Sequence, residues 1–539
     1  MPRRTAEPSV LTPELSRIAS VVVLGSIMSI LDTTIVAVAL DTLGRDFHVP
    51  VSTIQWVTTG YLLSLAVVIP VTGWAVDRFG AKPMWMTSLV LFIIGSSLCG
   101  VAWSANSLIL FRVLQGLGGG MILPIGQSVL ARAAGPQRIG RVMSVIGVPT
   151  VLGPILGPVL GGIIVSNFSW RWIFYINVPI GIVTLILSRK FLTGNEEKVR
   201  ASFDGWGFAL LSPGLAALVY SLSEVGVTGK FTSTPVLVSF ILGLALMLGF
   251  IVHALHVRNP LLDLRLFKNR NFSIANICMF VMGATLYGSM FLLPLYYQIA
   301  RGQSAWQAGL LMAPQGIGAA LLMRKSGTIT DRAGPRRVVP VGIVIMAVAT
   351  IPFGFVTAST SEVLLAGTLF VRGLGLGLTM MPIMSSAYFD LSHADIPKAS
   401  TTLNIVRQIG ASVATAAFAV VLQRGIVENT HAHGSSDSAL LSTTVKLPPE
   451  IADDVARAFA HTFWWAVATI VIAFIPTLFL PSRGAMSLQQ TVPKGTGDAD
   501  GTGDAGDAGD VDGDEGVGRV DGVDGGGGPP SAPLVPVME

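Results

Sequence analysis

Long apolar runs without charge alternate along this chain with short segments in which the charges gather. The stretches Pro83 to Phe111, Met143 to Trp170, Phe231 to Val252 and Asn271 to Ala300 hold no Asp, Glu, Lys or Arg. Each exceeds the roughly 20 residues that a helix needs to cross a bilayer. None shows the polar face at a period of 3.6 that marks an amphipathic core helix. Interior Gly and Pro, frequent in these runs, are tolerated in lipid. The pattern predicts fourteen spanning helices, at about 18–40, 54–75, 83–104, 107–130, 141–165, 171–190, 206–226, 234–256, 272–297, 306–326, 338–359, 363–388, 400–425 and 460–481. An even count puts both termini on one side. The segments on that side, up to Lys494, hold 24 Lys or Arg, and the loops on the other side hold seven. The positive-inside rule therefore places both termini in the cytoplasm.

Composition sharpens this picture. Only 12% of the 539 residues are charged, against about a quarter in a soluble domain. Arg3 and Arg4, an apolar run and Ala37-Val38-Ala39 imitate a secretory signal. The run is too long and holds Asp32, so it reads as a retained first helix. From Lys494 onward the chain turns to Gly and Asp, with 11 acids against two bases. That tail cannot bury a core and reads as disordered. Its Asp510, Asp512 and Asp514 imitate a calcium loop, but Glu515 stands where the turn glycine belongs. Cys99 and Cys278 both fall in apolar runs, which suits small buried side chains rather than a disulfide. His431 and His433 lie in the largest outer loop, where solvation is the default.

A ten-residue pattern occurs twice. Gly73-x-x-x-Asp77-Arg78-x-Gly80-x-Lys82 follows the second span, and Gly327-x-x-x-Asp331-Arg332-x-Gly334-x-Arg336 follows the tenth. Equal positions in two six-helix blocks mark a duplicated chain, with spans seven and eight as an inserted pair. The expected divisions are a cytoplasmic N-terminus (1–17), an N-terminal bundle (18–200), the inserted pair (201–258), a C-terminal bundle (259–482) and the tail (483–539). Glycine lets helix ends approach closely. Asp can cap a helix start and pair with the basic residues, so both turns are candidate inner gates. In the fifth span, Gly153, Gly157 and Gly161 form one bare ridge, and Pro154, Pro158 and Gly162 the next. Bare ridges permit close helix contact and the prolines promote a bend.

Charges inside spans cost roughly 2.5–3.5 kcal/mol each on insertion scales. Asp32, Arg112, Arg372 and Arg407 are such residues and are expected to face a cavity or one another. Asp32 is the one carboxylate well inside a span. It is therefore the candidate proton carrier, with Arg112 as its partner. Ser400, Asn404, Gln408, Ser412 and Thr415 form a polar stripe on the thirteenth span, beside Arg407. Such a stripe lines either water or a neighbouring helix. The chain has no Gly-x-x-x-x-Gly-Lys-Ser/Thr, so no nucleotide drive is indicated. Gly373, Gly375 and Gly377 imitate a phosphate loop but lie in an apolar helix, where packing is the expected role.

From about Ser16 to Ser482 the chain resembles the fourteen-helix drug:proton antiporters of the major facilitator superfamily, the EmrB/QacA type. The two Gly-x-x-x-Asp-Arg turns resemble that superfamily's inner-loop signature. Arg112, Gln115, Gly116 and Gly118 resemble its fourth-helix motif, and the Gly-Pro ridges its antiporter motif. Trp170-Arg171-Trp172-Ile173-Phe174 with Ile176-Asn177-Val178-Pro179-Ile180-Gly181, Pro260-Leu261-Leu262-Asp263-Leu264 and Leu31-Asp32-x-Thr34 resemble the narrower branch. Ala37 and Asp41 depart from its first-helix motif, and Arg324 and Lys325 add charge where the family is apolar. The resemblance implies an all-α integral membrane protein of the major facilitator fold: two six-helix bundles, an inserted pair and a central cavity. It implies a monomeric, proton-coupled exporter of small hydrophobic compounds such as drugs, antibiotics or toxic metabolites in the bacterial cell membrane, the alternatives being a dedicated single-metabolite exporter or an uptake symporter of the same fold, and behind them a non-transporting membrane sensor. Substrate, protons and lipid are then its partners, without cofactor, metal or nucleic acid. Arg171, Asn177 and Pro179 are expected to be structural. Thr34, Gln115, Asn404, Arg407 and Gln408 are the candidate cavity-lining residues.

Overall fold

The fourteen apolar runs become helices at all fourteen positions of a computed structural model, which describes residues 12–134, 139–192, 202–228, 232–389, 391–392, 394–430 and 448–482. The tail, with Asp510, Asp512 and Asp514, lies outside the described residues, as do His431 and His433. The side chains of Asp331, Pro154, Asp41 and Arg324 are likewise outside them. The helices are α1 (Pro13–Asp46), α2 (Val51–Ile54), α3 (Trp56–Val68), α4 (Val71–Phe79), α5 (Ala81–Gly100), α6 (Ala105–Ala134), α7 (Ile139–Asn167), α8 (Trp172–Tyr175) and α9 (Asn177–Phe191). They continue with α10 (Gly205–Thr228), α11 (Thr234–His256), α12 (Arg270–Leu295), α13 (Ala305–Ala333), α14 (Pro335–Thr350), α15 (Glu362–Ala387), α16 (Ile396–Thr430) and α17 (Pro449–Thr477). Eleven are long and apolar enough to cross a membrane. The pair α3 and α4 makes a twelfth span, bent by 54° at Pro70, the kind of kink that proline causes. The other two, α7 and α13, have 29 residues each. Helix α7 holds no charge from Met143 to its end at Asn167, and α13 is interrupted by Gln307, Gln315 and Lys325.

The repeated turns have one backbone shape. Gly80 has φ 96° and ψ 153°, and Gly334 has φ 81° and ψ 148°, a region essentially reserved for glycine. Each ends one helix and begins the next. Gly80 N–H donates to Val76 O and Gly334 N–H to Thr330 O, both at 2.8 Å. Asp77 does not cap the following helix as expected. It sits 3.5 Å from the Arg132 guanidinium on α6 instead, because Asp77 lies inside the last turn of α4, three residues before the Gly80 that begins α5. Lys82 Nζ donates to the carbonyls of Leu192 (2.5 Å) and Arg189 (3.1 Å), a cation on the free carbonyls that end α9.

Small residues set the spacing within and between the bundles. The Gly153–Gly157–Gly161 ridge packs on α1: an added Cβ would meet Ile30, Thr34 and Ile35 respectively. The adjacent ridge faces α13 of the other half, with Gly162 against Trp306 and Pro158 beside Gly309. One helix thus holds its own bundle with one ridge and the opposite bundle with the next. Gly373 and Gly377 admit the backbone of α13, at Gln315 and Ala319, while Gly375 admits Gly342 of α14. That glycine run packs helices, as expected of it. Cys99 and Cys278 are buried free thiols.

The inserted pair divides its labour. Only 17% of the apolar window of α11 is buried, against 61% for α6, and its outward face carries Leu237, Ile241, Leu244, Leu248 and Leu255. A continuous exposed apolar face of this kind belongs in lipid. Helix α10 is wedged between the halves. Its Tyr220 stacks on Trp56 of α3 at 5.8 Å, Ser212 donates to Val67 O (2.8 Å), and Val225 clusters with Ala416 of α16. Asp204 anchors the pair, accepting from Gly207 N (2.8 Å) and Leu261 N (3.1 Å) and meeting His253 Nε2 at 2.7 Å.

The α13–α15 contact makes a stability prediction. Gly373→Ala puts a methyl group into the Gln315 carbonyl and should lower unfolding free energy by about 1–3 kcal/mol. Gly367→Ala, with nothing within 4 Å, should change it by no more than about 0.5 kcal/mol. Thermal unfolding of the purified variants in detergent measures both, and an unaffected Gly373→Ala would refute the close approach.

Candidate functional site

Helix α1 presents two chemically different faces at mid-length. On one, Asp32 is fully buried against α6. Arg112 Nη1 donates to its Oδ2 at 2.5 Å, Gln115 Nε2 to its Oδ1 at 2.9 Å, and Asn177 Nδ2 to the same oxygen at 3.0 Å. The donors are themselves tied. Arg112 Nη1 also donates to Gln115 Oε1 (2.9 Å), and its Nε to Val57 O (3.2 Å). Asn177 Nδ2 reaches Ser96 Oγ (3.1 Å), whose hydroxyl donates to Phe174 O (2.8 Å). The guanidinium lies 3.9 Å from the ring centre of Tyr61, a cation–π contact of the desolvated kind. Five helical segments of one bundle therefore converge on a single carboxylate.

On the other face, Ser29, Ile30 and Thr33 border a cavity of about 250 Å³ between the halves. Leu62 and Leu65 of α3, Ile69 just beyond its end, Gly119, Gly120, Leu123 and Pro124 of α6, Tyr287 of α12 and six residues between Asn404 and Thr415 of α16 complete most of the wall. The rest is α10, through Val219, Leu222 and Ser223. Pro124 cannot donate to the Gly120 carbonyl four residues back, so this bordering residue keeps a polar group that the helix does not use. The floor is a polar latch joining the two halves. Ser400 Oγ meets Pro124 O (2.9 Å) and Gln127 Oε1 (3.0 Å), and Asn404 Nδ2 donates to Gln127 Oε1 (2.6 Å). Below it, at the end that carries the repeated turns, Gly73 packs on Lys398 and Thr401.

The expected residues sort accordingly. Asn404, Arg407 and Gln408 line the cavity, as read from the sequence. Thr34 and Gln115 do not. Thr34 packs on Gly157 and bonds Leu31 O (3.1 Å), because the helix turns its neighbour Thr33 inward instead. Gln115 is spent on Asp32. The α16 stripe splits at Asn404: the residues before it latch to α6, and those after it face the cavity. Asn177, expected to be structural, is a direct donor to Asp32. Of the four intramembrane charges, Asp32 and Arg112 face each other and Arg407 faces the cavity. Arg372 does neither. It is buried, its Nη1 donating to Gln315 Oε1 (2.8 Å) and its Nη2 to Ser289 Oγ. The seventh span, read as a mere insertion, supplies a cavity wall. Its Ser212, Ser221 and Ser223, spaced along one helix, were the available signal.

Eleven membrane-length helices and a twelfth, bent span among the described residues, packed as helical bundles with an amphipathic cavity at the seam, define a multi-spanning membrane transporter. The chain belongs to the Major Facilitator Superfamily, whose sequence pattern matches residues 22–415. It is 38% identical over 504 residues to the Multidrug resistance protein B homolog of Mycobacterium tuberculosis, covering 89% of this chain and 92% of that one. It is 32% identical over 398 residues to the Multidrug export protein EmrB of Escherichia coli, covering 73% and 77%. These relatives place it in the EmrB-type branch. The human organic anion transporter MFSD10 (TETRAN) matches with a TM-score of 0.57 at 16% identity, over 87% of this chain and 100% of that one, a likeness of fold alone.

The buried pair predicts non-additive stability. Asp32→Asn or Arg112→Gln alone leaves a buried charge without its partner and should cost about 3–5 kcal/mol. The double variant should recover most of that loss. Unfolding of the three purified variants decides it: a double variant no more stable than either single would mean that the two charges do not compensate each other.

Proposed function

We propose that the protein is a proton-coupled secondary exporter of small hydrophobic compounds, of the drug, antibiotic or toxic-metabolite kind, working by alternating access. The observation that carries this is the two-faced α1. Ser29, Ile30 and Thr33 border the cavity while Asp32, in the same helical turn, lies in the bundle interior held by Arg112. A substrate that shifts α1 disturbs the Asp32 network, and a proton on Asp32 cancels its attraction to Arg112 and frees α1 to move. Binding and protonation then compete for one helix, which is the requirement of antiport. The printed names of the relatives, multidrug resistance and multidrug export proteins, support the substrate class.

The inner gate of this mechanism is the end with the repeated turns. Gly73, Asp77, Arg78 and Gly80 work there against Arg132 and α16, and Gly327, Asp331, Arg332 and Gly334 are their counterparts. The bundles are 18–200 and 259–482, the pair between them is 201–258, and the monomer is the working unit. Both termini are cytoplasmic in the bacterial inner membrane. Ser435→Cys should then react with an impermeant thiol reagent from outside and Arg336→Cys only from inside; the reverse pattern would invert the topology.

The driving force suffices. One charge moving through 100 mV supplies about 2.3 kcal/mol and one pH unit about 1.4 kcal/mol per proton. Together they sustain a concentration ratio of the order of several hundred. In proteoliposomes with an imposed pH gradient, wild type should expel a fluorescent hydrophobic dye and take up protons. Asp32→Asn, which keeps the size but exchanges no proton, should still bind the dye and fail to move it uphill. Full gradient-driven transport in that variant would reject Asp32 as the carrier.

A further inference from the structure

Among the described residues, the charge lining the cavity has one sign. Arg407 borders both the main cavity and a small methionine-lined recess beneath it, formed by Met279, Met380, Met381 and Met384. Its Nη2 donates to Asn404 Oδ1 at 3.1 Å, and among the described residues no carboxylate pairs with it. A guanidinium has five N–H groups in a rigid fork that fits a carboxylate or sulfonate; here one is used. Among the described residues, the cavity wall contains no Asp or Glu. Asp32 faces away from it, neutralised by Arg112, and Glu224, beside Ser223 on α10, is not among the lining residues.

The position of Arg407 is built rather than incidental. A Cβ on Gly283 would meet Arg407 O at 2.5 Å and its Cγ at 3.2 Å, so α12 lies directly against this residue and holds its stem. The same cavity is lined by Leu62, Leu65, Ile69, Val219 and Leu222. Hydroxyl and amide side chains such as Ser29, Thr33, Gln408 and Ser412 complete the lining but carry no charge, and a cation at membrane depth is costly without a counter-charge. An anionic head with an apolar body satisfies both walls at once.

We propose that the cavity is an anion site, and that the exported compound is a compact monoanionic amphiphile whose acidic head pairs with Arg407 and whose ring or short chain lies on the α3 and α10 wall. This rests on the exporter reading and adds the charge of its substrate. A volume of about 250 Å³ suits a one- or two-ring organic acid and excludes a diacyl lipid, since drug-sized pockets start near 300 Å³. Export of an anion is also aided by an interior-negative potential.

The test uses three probes of one shape and three charges: naphthylacetate, its neutral amide and naphthylethylammonium. Binding is measured by calorimetry on the full chain in zwitterionic nanodiscs. Wild type should bind the acid about tenfold or more tighter than the ammonium ion. Arg407→Gln should weaken the acid by about tenfold and leave the amide within about threefold, while Arg407→Lys should retain the order of preference. The wild-type comparison stands alone if Arg407→Gln does not fold. Equal or tighter binding of the ammonium ion would overturn the proposal, as would an Arg407→Gln variant that keeps the acid's affinity. Adding phosphatidylglycerol to the discs separates the sources of the anion. Unchanged binding assigns the site to a free organic acid, and loss of binding assigns it to a lipid headgroup and overturns the compact-acid proposal. Flux of the same probes in proteoliposomes keeps the two readings apart. If the ammonium ion is expelled and the acid is not, the exporter stands and the anion assignment fails. If none is moved, both the exporter reading and the proposal that rests on it fail.

Discussion

The contact between Asp32 and Arg112 organises the N-terminal bundle. Both side chains are wholly buried, and each needs the other because an isolated charge at that depth is several kcal/mol unfavourable. The remaining lone pairs and donors recruit Gln115 from α6, Asn177 and Ser96 from α9 and α5, and the Val57 carbonyl from α3. Rotation or sliding of α1 breaks several of these bonds at once. The helix is thereby held in one register, and the same helix forms part of the cavity wall. A change of charge on one carboxylate is therefore felt by the surface that would meet the substrate.

Among the described residues, the C-terminal bundle carries no equivalent buried ion pair. Arg372 is buried between neutral partners, Gln315 and Ser289, and the close packing of α13, α14 and α15 rests on Gly373, Gly375 and Gly377 instead. The duplicated turns keep one backbone shape in both halves through Gly80 and Gly334, while the interiors have diverged. One half holds the titratable network, and the other supplies the polar face of the cavity through α16. That division puts the buried ion pair and the polar cavity face on different sides of a shared seam.

The inserted pair is more than a spacer. Helix α11 faces outward with its apolar side chains, whereas α10 fills the gap between α3 and α16 and contributes Val219, Leu222 and Ser223 to the cavity. Its contacts with both halves, through Tyr220 on Trp56 and Val225 beside Ala416, mean that any relative motion of the halves slides along α10.

What was legible in the sequence follows from rules that act locally. A bilayer demands about 20 apolar residues per helix and satisfied backbone, so the fourteen helix positions, the duplicated turns and the rarity of intramembrane charge could be read from residue order. The Asp32–Arg112 partnership was legible for the same reason: few charges were present, and each required an answer. The rotation of each helix about its own axis, and the helix that faces it, were decided by tertiary packing. Thr33 rather than Thr34 meets the cavity because the Gly157 notch draws Thr34 into the α1–α7 contact. Gln115 is withdrawn from the cavity by a carboxylate more than eighty residues away. The α16 stripe divides at Asn404 because Gln127 of the other half reaches only that far. In a helix that is apolar on every side, composition does not say which face is inward, and that choice belongs to the shapes of the neighbours.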